Sequence, residues 1–273
     1  MRPITLGLIA LLAPALAWGD DITFKDPRGD DKGPGTYVYP TNAVYKSGSF
    51  DILEVKLKDA GADVEVSVTV AAKIEDPWDS KKWGGNGFSL QMGFLFIDTD
   101  RKAGSGFDEG LPGLNVRFPN EARWDKVVLL SPQGKTRLEA EIGSKAAKMK
   151  SAIVIPTTTR AQGATLVAKL PKSALGGAPS KTWAFQLIMQ SNEGFPDKKD
   201  FLTRKVNEVK GEHRFGGGHD YDCDPHAIDL LAGEGKGAAG EAQAQYTALK
   251  AHTCDDNNPD GGTRATVPMI VPK

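Results

Sequence analysis

Residues 53–70 read LEVKLKDAGADVEVSVTV, and this stretch indicates the fold class of the chain. In its second half, valine occupies every second position and alternates with polar residues. Successive side chains of a β-strand point to opposite faces, so this alternation predicts a strand with one buried face. The same period runs from Leu53 to Leu57, and Asp59-Ala60-Gly61 predicts a hairpin-like turn between the two strands.

Further short strands follow, separated by turns that draw on the 31 glycines and 17 prolines. Residues 88–97 are apolar on both faces near their end, which predicts a central strand. Residues 127–130 and 138–142 flank Ser131-Pro132-Gln133-Gly134 and predict a second hairpin. Residues 241–249 favour a short C-terminal helix. We therefore expect an all-β protein with one antiparallel β-sandwich domain over residues 20–273.

The N-terminus predicts a secretory signal peptide over residues 1–19. Arg2 supplies the positive end, an apolar run follows, and Ala15-Leu16-Ala17 is a small-residue cleavage site. No later stretch has the roughly 20 apolar residues of a transmembrane helix. The formal net charge of -1 provides no field that would attract nucleic acid. The expected location is therefore secreted or periplasmic.

The chain has two cysteines, Cys223 and Cys254. An oxidising compartment favours a disulfide between them. Metal ligation is the alternative, because all the histidines of the chain lie near these cysteines in sequence. They are His213, His219, His226 and His252.

Residues 26–40 read DPRGDDKGPGTYVYP and place Asp26, Asp30 and Asp31 close together. Glycines let the backbone bend around these carboxylates, and prolines exclude a helix. Close carboxylates repel one another, and a bound hard cation relieves that repulsion. Calcium takes six to eight oxygen ligands, so the loop predicts a calcium site. A solvated acidic loop is the alternative.

This acidic loop opens an ordered set of motifs that spans most of the chain. The set resembles the glucodextranase C-terminal domain family, a DOMON-like β-sandwich. The resemblance implies a DOMON-like or jelly-roll sandwich that binds a polysaccharide or glycan and accompanies a secreted or envelope enzyme. The other motifs are Asp76-Pro77-Trp78 with residues 87–91, residues 97–100 with residues 111–118, and residues 215–218 with 224–225 and 228–231.

Asp51 and Asp100 are expected to complete the calcium site together with the three loop carboxylates. Each lies at the end of a predicted strand, beside other residues of these motifs. The expectation is one of proximity in the fold, because neither residue is close to the acidic loop in the sequence.

Trp78 and Trp83 are the predicted ligand contacts. Both lie in a glycine-containing loop, where an indole ring can stack on the apolar face of a sugar. The alternative is that the rings cap the hydrophobic core. The sequence has no Gly-x-Ser-x-Gly, phosphate-loop or His-Glu-x-x-His motif, which favours binding without catalysis. Spacing alone does not identify a glycosidase carboxylate pair.

Two other functions are left open by the sequence. One is a structural or interaction subunit of a cell-envelope complex, which would use the sandwich as a scaffold. The other is haem-binding electron transfer, because some DOMON-type domains hold haem between methionine and histidine. The candidate ligands are Met92, Met189, His219 and His226. Strand methionines at core spacing more often fill the core.

Overall fold

The computed structural model describes residues 19–221, 223–255 and 257–273. The predicted signal peptide lies outside the described residues except for Gly19. The helices are α1 (Lys135–Lys145), α2 (Lys172–Leu175) and α3 (Ala239–Lys250), with 3-10 turns at Ser80–Trp83 and Ala147–Met149. The strands are β1 (Ile22–Lys25), β2 (Ile52–Ala60), β3 (Asp63–Val70), β4 (Gln91–Asp98), β5 (Val116–Arg117), β6 (Lys126–Leu130), β7 (Ile153–Val154), β8 (Thr158–Gln162), β9 (Thr165–Pro171), β10 (Ala184–Ser191), β11 (Asp229–Leu230), β12 (Thr253–Asp255), β13 (Asn258–Thr263) and β14 (Ala265–Thr266).

Two five-stranded sheets form the body of the protein. Their strand orders are β1-β2-β3-β9-β8 and β11-β10-β4-β6-β7. Neighbouring strands are antiparallel except for β6 with β7, and for the small additional pair β14 with β5. The predicted all-β sandwich is confirmed, with a parallel pair at one edge of the second sheet.

The β2–β3 hairpin forms as the alternating sequence predicts. The four valines of β3 are buried, and Val66 lies opposite Leu57 while Val68 lies opposite Val55. The turn is one residue later than expected, because Ala60 still pairs with Asp63. A register shift between Ile52 and Glu54 places Ile52 rather than Leu53 in the core.

Every residue of β4 and β10 is buried, because the second sheet is covered on both faces. One hydrophobic core fills the space between the two sheets. A second core lies on the outer face of the second sheet, under α1, α3 and several loops. The central position predicted for β4 is therefore confirmed.

Helix α1 replaces the strand predicted over residues 138–142. Leu138 and Ile142 are buried, and their spacing of four residues suits one face of a helix as well as alternate positions of a strand. Glu139, Ala140 and Glu141 between them favour the helix. The helix is the crossover that parallel strands β6 and β7 require, so the predicted hairpin was wrong.

The predicted C-terminal helix is present as α3. Gln245 of this helix is fully buried, and its amide donates a hydrogen bond to the carbonyl oxygen of Asp30 at 2.7 Å. The Gln245 Oε1 atom accepts a hydrogen bond from the backbone N–H of Leu230 at 2.9 Å. The helix therefore connects the acidic loop to β11. None of the helices in the described part of the chain is long and apolar enough to cross a membrane.

Candidate functional site

A pocket of about 520 Å³ opens between the β3–β4 connection, the start of α1 and the long connection after β10. This volume lies within the range of small-ligand sites, roughly 300–1,000 Å³. The side chains of Trp78 and Trp83 line the pocket and are each 41% exposed, and Phe195 is 94% exposed. The lining residues are Trp78, Trp83, Gln133, Arg137, Asn192, Glu193, Gly194, Phe195, Arg204 and His213.

Hydrogen bonds hold the two tryptophans in place. The Asp76 carboxylate accepts hydrogen bonds from the Ser80 backbone N–H at 2.9 Å and from the Ser80 hydroxyl at 2.8 Å. It also accepts one from the Ser89 hydroxyl at 2.7 Å. The Trp78 N–H donates to Ser89 Oγ, and Trp83 Nε1–H donates to the Trp78 carbonyl, both at 3.2 Å. The exposed rings therefore belong to an ordered loop.

Polar groups form the opposite wall of the pocket. The guanidinium of Arg204 lies 3.4 Å from the Glu193 carboxylate and donates a hydrogen bond to the His213 carbonyl oxygen at 3.0 Å. The Gln133 amide donates to Asn192 Oδ1 at 3.2 Å. These contacts present hydrogen-bond donors and acceptors at fixed positions beside the aromatic rings. Such a surface can stack on the apolar face of a pyranose and hydrogen-bond its hydroxyls.

The structure brings the predicted pair Trp78 and Trp83 together on one pocket. Neither ring belongs to the two hydrophobic cores, so the alternative of core capping does not describe their placement. Sequence reasoning missed Phe195, Arg204 and Gln133, which come from other loops. Phe195 offered one signal, because it lies between Gly194 and Pro196 in a charged segment that has no strand or helix pattern.

A buried carboxylate cluster lies elsewhere in the fold. Asp26 and Asp30 of the acidic loop meet Asp229 of β11, with carboxylate oxygens of all three within 4.8 Å of one another. These residues are at most 6% exposed. Asp31 and Asp51 lie beside them, since Asp31 interacts electrostatically with both Asp51 and Asp229. The structure thus unites four of the five predicted ligands.

Burial and mutual repulsion perturb these carboxyl groups. Burial raises the pKa of Asp26 and of Asp229 well above the ordinary value, and the neighbouring carboxylates raise both further. Burial also raises the pKa of Asp30 to about 7 and that of Asp51 to about 6. The folded protein therefore resists full ionisation of the cluster unless a positive charge joins it.

Unpartnered oxygens show that the cluster fits a cation. Asp26 Oδ1, Asp26 Oδ2 and Asp30 Oδ1 are buried and lack a hydrogen-bond partner among the described residues. Asp51 accepts hydrogen bonds from the Gly29 N–H at 3.0 and 3.1 Å, and Asp31 accepts one from the Tyr39 hydroxyl. A buried charge without a partner costs several kcal/mol, and hard cations prefer such oxygen ligands.

Asp100 does not lie in this cluster, which corrects the expected grouping. Asp229 pairs with Met189, and Met189 pairs with Gly93. Asp98 lies five residues further along β4, about 17 Å away at the usual rise of a strand. Asp100, next to this strand end, belongs with Asp98 and Asp125. Sequence spacing does not show which strand ends share one edge of the sandwich.

Asp229 is the ligand candidate that sequence reasoning missed. It was visible only as part of the motif Ile228-Asp229-Leu230-Leu231, where an acidic residue interrupts an apolar run. Its Oδ2 atom accepts a hydrogen bond from the Ile52 N–H at 2.6 Å. Because β11 is buried, the carboxyl group of this aspartate requires hydrogen-bond partners, a proton or a bound cation.

Cys223 and Cys254 form a disulfide, which confirms the predicted bridge; their Cα atoms are 5.2 Å apart. His219 lies close to both sulfur atoms. The two sulfur atoms are bonded to each other and are not thiolates, so the alternative of thiolate metal ligation does not describe this state.

The candidate haem ligands do not converge in an obvious site. Met92 and Met189 are fully buried and belong to the two different hydrophobic cores, on opposite faces of the second sheet. Their contacts with apolar side chains favour a packing role. His226 is buried, and its Nδ1 atom lies 3.3 Å from the Val206 backbone N–H.

Comparison with known families gives a match over most of the chain. The family model of the C-terminal, SLH-like binding module of glucodextranase matches residues 22–269. These residues include both sheets, the aromatic pocket and the carboxylate cluster. A search of curated proteins finds no match to the sequence.

Proposed function

This chain belongs to the family of C-terminal, SLH-like binding modules of glucodextranase, and we propose that it binds a polysaccharide or glycan without cleaving it. The observation that supports this function is the pocket in which exposed Trp78 and Trp83 face fixed polar groups. The family match supports a binding role, and the chemistry of the pocket supports a sugar as the class of ligand.

The lining of the pocket favours a neutral sugar chain. Arg204 is paired with Glu193 at 3.4 Å, and Arg137 is paired with Glu141 at 2.8 Å. Each guanidinium group therefore has a carboxylate partner within the protein, and Glu141 also pairs with Lys145 at 2.9 Å. Stacking and hydrogen bonds to hydroxyls, rather than net charge, would then provide the affinity.

A glycan array probed with residues 20–273 tests this function. We expect retention on at least one polysaccharide, and no shortened products after prolonged incubation with that polysaccharide. Tyr221→Ala serves as a control because Tyr221 is an exposed aromatic residue that does not line the pocket. If no glycan is retained, the structural or interaction subunit becomes the better hypothesis. If products appear, the chain is an enzyme.

The second part of the proposal is that calcium stabilises the module at the carboxylate cluster. Asp26, Asp30 and Asp229 would supply the central oxygens, and Asp31 and Asp51, which interact electrostatically with them, would complete the set. Calcium accepts this number of oxygen ligands in flexible geometry. The ion would offset the burial and the mutual repulsion that raise the pKa values of these groups, and it would connect the acidic loop to β11.

Calcium removal tests this second part. A ligand that binds only the folded state raises its stability, so a chelator should lower Tm and added calcium should restore it. Asp26→Asn should lower the calcium response sharply. An unchanged unfolding curve in excess chelator, with no calcium in the dialysed protein, would contradict the site.

The proposal places the protein outside the cytoplasm, either secreted or periplasmic. The predicted signal peptide and the Cys223–Cys254 disulfide support this location. A secreted or envelope enzyme acting on the same glycan is the expected partner. Fractionation of cells that produce the full chain tests the location.

A further inference from the structure

A second carboxylate cluster lies at the far end of β4 and goes beyond the proposed function. Asp98 ends this strand, Asp100 follows it, and Asp125 precedes β6. Carboxylate oxygens of the three residues lie within 4.8 Å of one another. Asp98 is buried, Asp125 is half-buried and Asp100 is exposed, so the cluster runs from the sheet to the solvent.

One oxygen of this cluster is buried without a partner. Asp98 is 1% exposed, and its Oδ2 atom has no hydrogen-bond partner in the described part of the chain. Its other oxygen accepts a hydrogen bond from the Arg101 N–H at 2.7 Å. An orphaned carboxylate oxygen at the base of three converging acids is costly unless a ligand reaches it.

The other two carboxylates accept hydrogen bonds from uncharged donors among the described residues. Asp125 accepts hydrogen bonds from the N–H and hydroxyl of Thr99 at 2.7 and 2.8 Å. Asp100 accepts hydrogen bonds from the Lys102 backbone N–H at 2.8 Å and from the Ser105 hydroxyl at 3.0 Å. In residues 19–221, 223–255 and 257–273, no lysine or arginine side chain forms an ion pair with the three acids.

Electrostatics agree with this geometry. Burial raises the pKa of Asp98, and the charges of Asp125 and Asp100 raise it further. Hydrogen bonds from the backbone N–H groups of Arg101 and Asp100 oppose this rise in the pKa. The cluster therefore has three acidic groups, one of them buried, and none of them forms an ion pair with a described residue.

We propose that Asp98, Asp100 and Asp125 hold a second hard divalent cation of the calcium class. Oxygen ligands from three carboxylates suit calcium, and water can complete the coordination on the exposed side at Asp100. The ion would cross-link the end of β4, the loop that follows it and the start of β6. It is separate from the buried cluster, which lies about 17 Å away along β4.

Calcium binding to the chelator-treated protein, measured by isothermal titration calorimetry, tests this second site. We expect the full-length mature chain to bind one ion at each cluster. Asp100→Asn should weaken one binding event by at least tenfold, because it removes an exposed ligand charge. Asp98→Asn should do the same. Asp108→Asn is the matched control, because Asp108 lies in the same loop but pairs with Arg117 at 2.6 Å.

The variants separate the two sites. Asp26→Asn should remove only the event at the buried cluster, so failure of either site leaves the other measurable. If Asp98→Asn does not fold, Asp100→Asn still decides, since its side chain is exposed. The proposal would be overturned if Asp26→Asn binds no calcium. It would also be overturned if the Asp98→Asn/Asp100→Asn double variant binds calcium as the wild type does.

Discussion

The indole ring of Trp78 meets the imidazole ring of His213 edge to face, with ring centroids 5.4 Å apart and planes at 86°. His213 also lies 6.0 Å from the ring of Tyr45. Trp78 and His213 belong to different loops, and both line the aromatic pocket. His213 therefore connects the exposed tryptophan to the aromatic side chains of the main core.

Replacing His213 with alanine should weaken glycan binding through Trp78. Aromatic pairs contribute roughly 0.5–1.5 kcal/mol beyond burial, so we expect affinity to fall by about twofold to tenfold. His213→Phe should retain most of the affinity, because it keeps a ring in contact with Trp78. Affinity electrophoresis on the glycan found by the array measures both. Equal loss in both variants would mean that the imidazole contacts the ligand by hydrogen bonding.

The stability of the calcium-free protein should fall as pH rises. The pKa of Asp30 is about 7 and that of Asp51 about 6 in the folded protein, against an ordinary 3.8. Between about pH 4 and 7 the folded state thus holds protons that the unfolded state has lost, so its stability decreases with pH.

Thermal unfolding at pH 5 and pH 8, with chelator and with calcium, checks this dependence. With chelator, Tm should be lower at pH 8 than at pH 5. With calcium, the difference should shrink, because the ion replaces the protons. A chelator-treated protein that is equally stable at both pH values would contradict the arrangement of these carboxylates.

Gln245→Met should destabilise the protein by about 1–3 kcal/mol, because it leaves the buried carbonyl of Asp30 without its amide donor. Urea unfolding measures the change. Gln243→Met is the matched control on the same helix, where the side chain is exposed and donates a hydrogen bond to the Thr247 hydroxyl at 3.3 Å. The control should stay within about 0.5 kcal/mol of the wild type. Similar effects at both positions would contradict the role of Gln245.

Reduction of the Cys223–Cys254 disulfide should lower the free energy of unfolding by about 3–4 kcal/mol in the chain-entropy account. The disulfide closes a loop with a sequence separation of 31, and reduction opens that loop in the unfolded chain. Denaturant unfolding with and without a reductant measures this cost. The Cys223→Ser/Cys254→Ser variant should be less stable and insensitive to the reductant. A wild type with an unchanged midpoint after complete reduction would show that the bridge adds no stability.

The sequence predicted those strands in which the spacing of apolar residues is compatible with only one kind of secondary structure. The valines of β3 fit only a strand with one buried face, and they form it. Residues 138–142 fit two patterns, because apolar residues four apart suit a helix face and a strand face alike. The parallel pairing of β6 with β7 requires a crossover connection, which favours the helix. That pairing depends on the tertiary structure and is not visible in the local sequence.

The candidate sites were predictable where their residues are close in sequence. Trp78 and Trp83 lie in one loop, as do Asp26, Asp30 and Asp31. Long-range partners were not predictable, since strand order brings Asp229 to the acidic loop and takes Asp100 to the other end of β4. The other lining residues of the pocket were not predictable for the same reason, since they come from the β10–β11 connection and from the start of α1.

The affinity of Trp78→Ala and Trp83→Ala for the retained polysaccharide, measured by isothermal titration calorimetry beside Tm, tests the central claim most directly. Each variant should lose roughly 1–2 kcal/mol of binding, which is about a fivefold to thirtyfold weaker affinity, because it loses a stacking ring. Tm should stay nearly unchanged, since both tryptophans are 41% exposed and lie outside the two hydrophobic cores. Wild-type affinity in both variants, with both folded, would contradict glycan binding at this pocket.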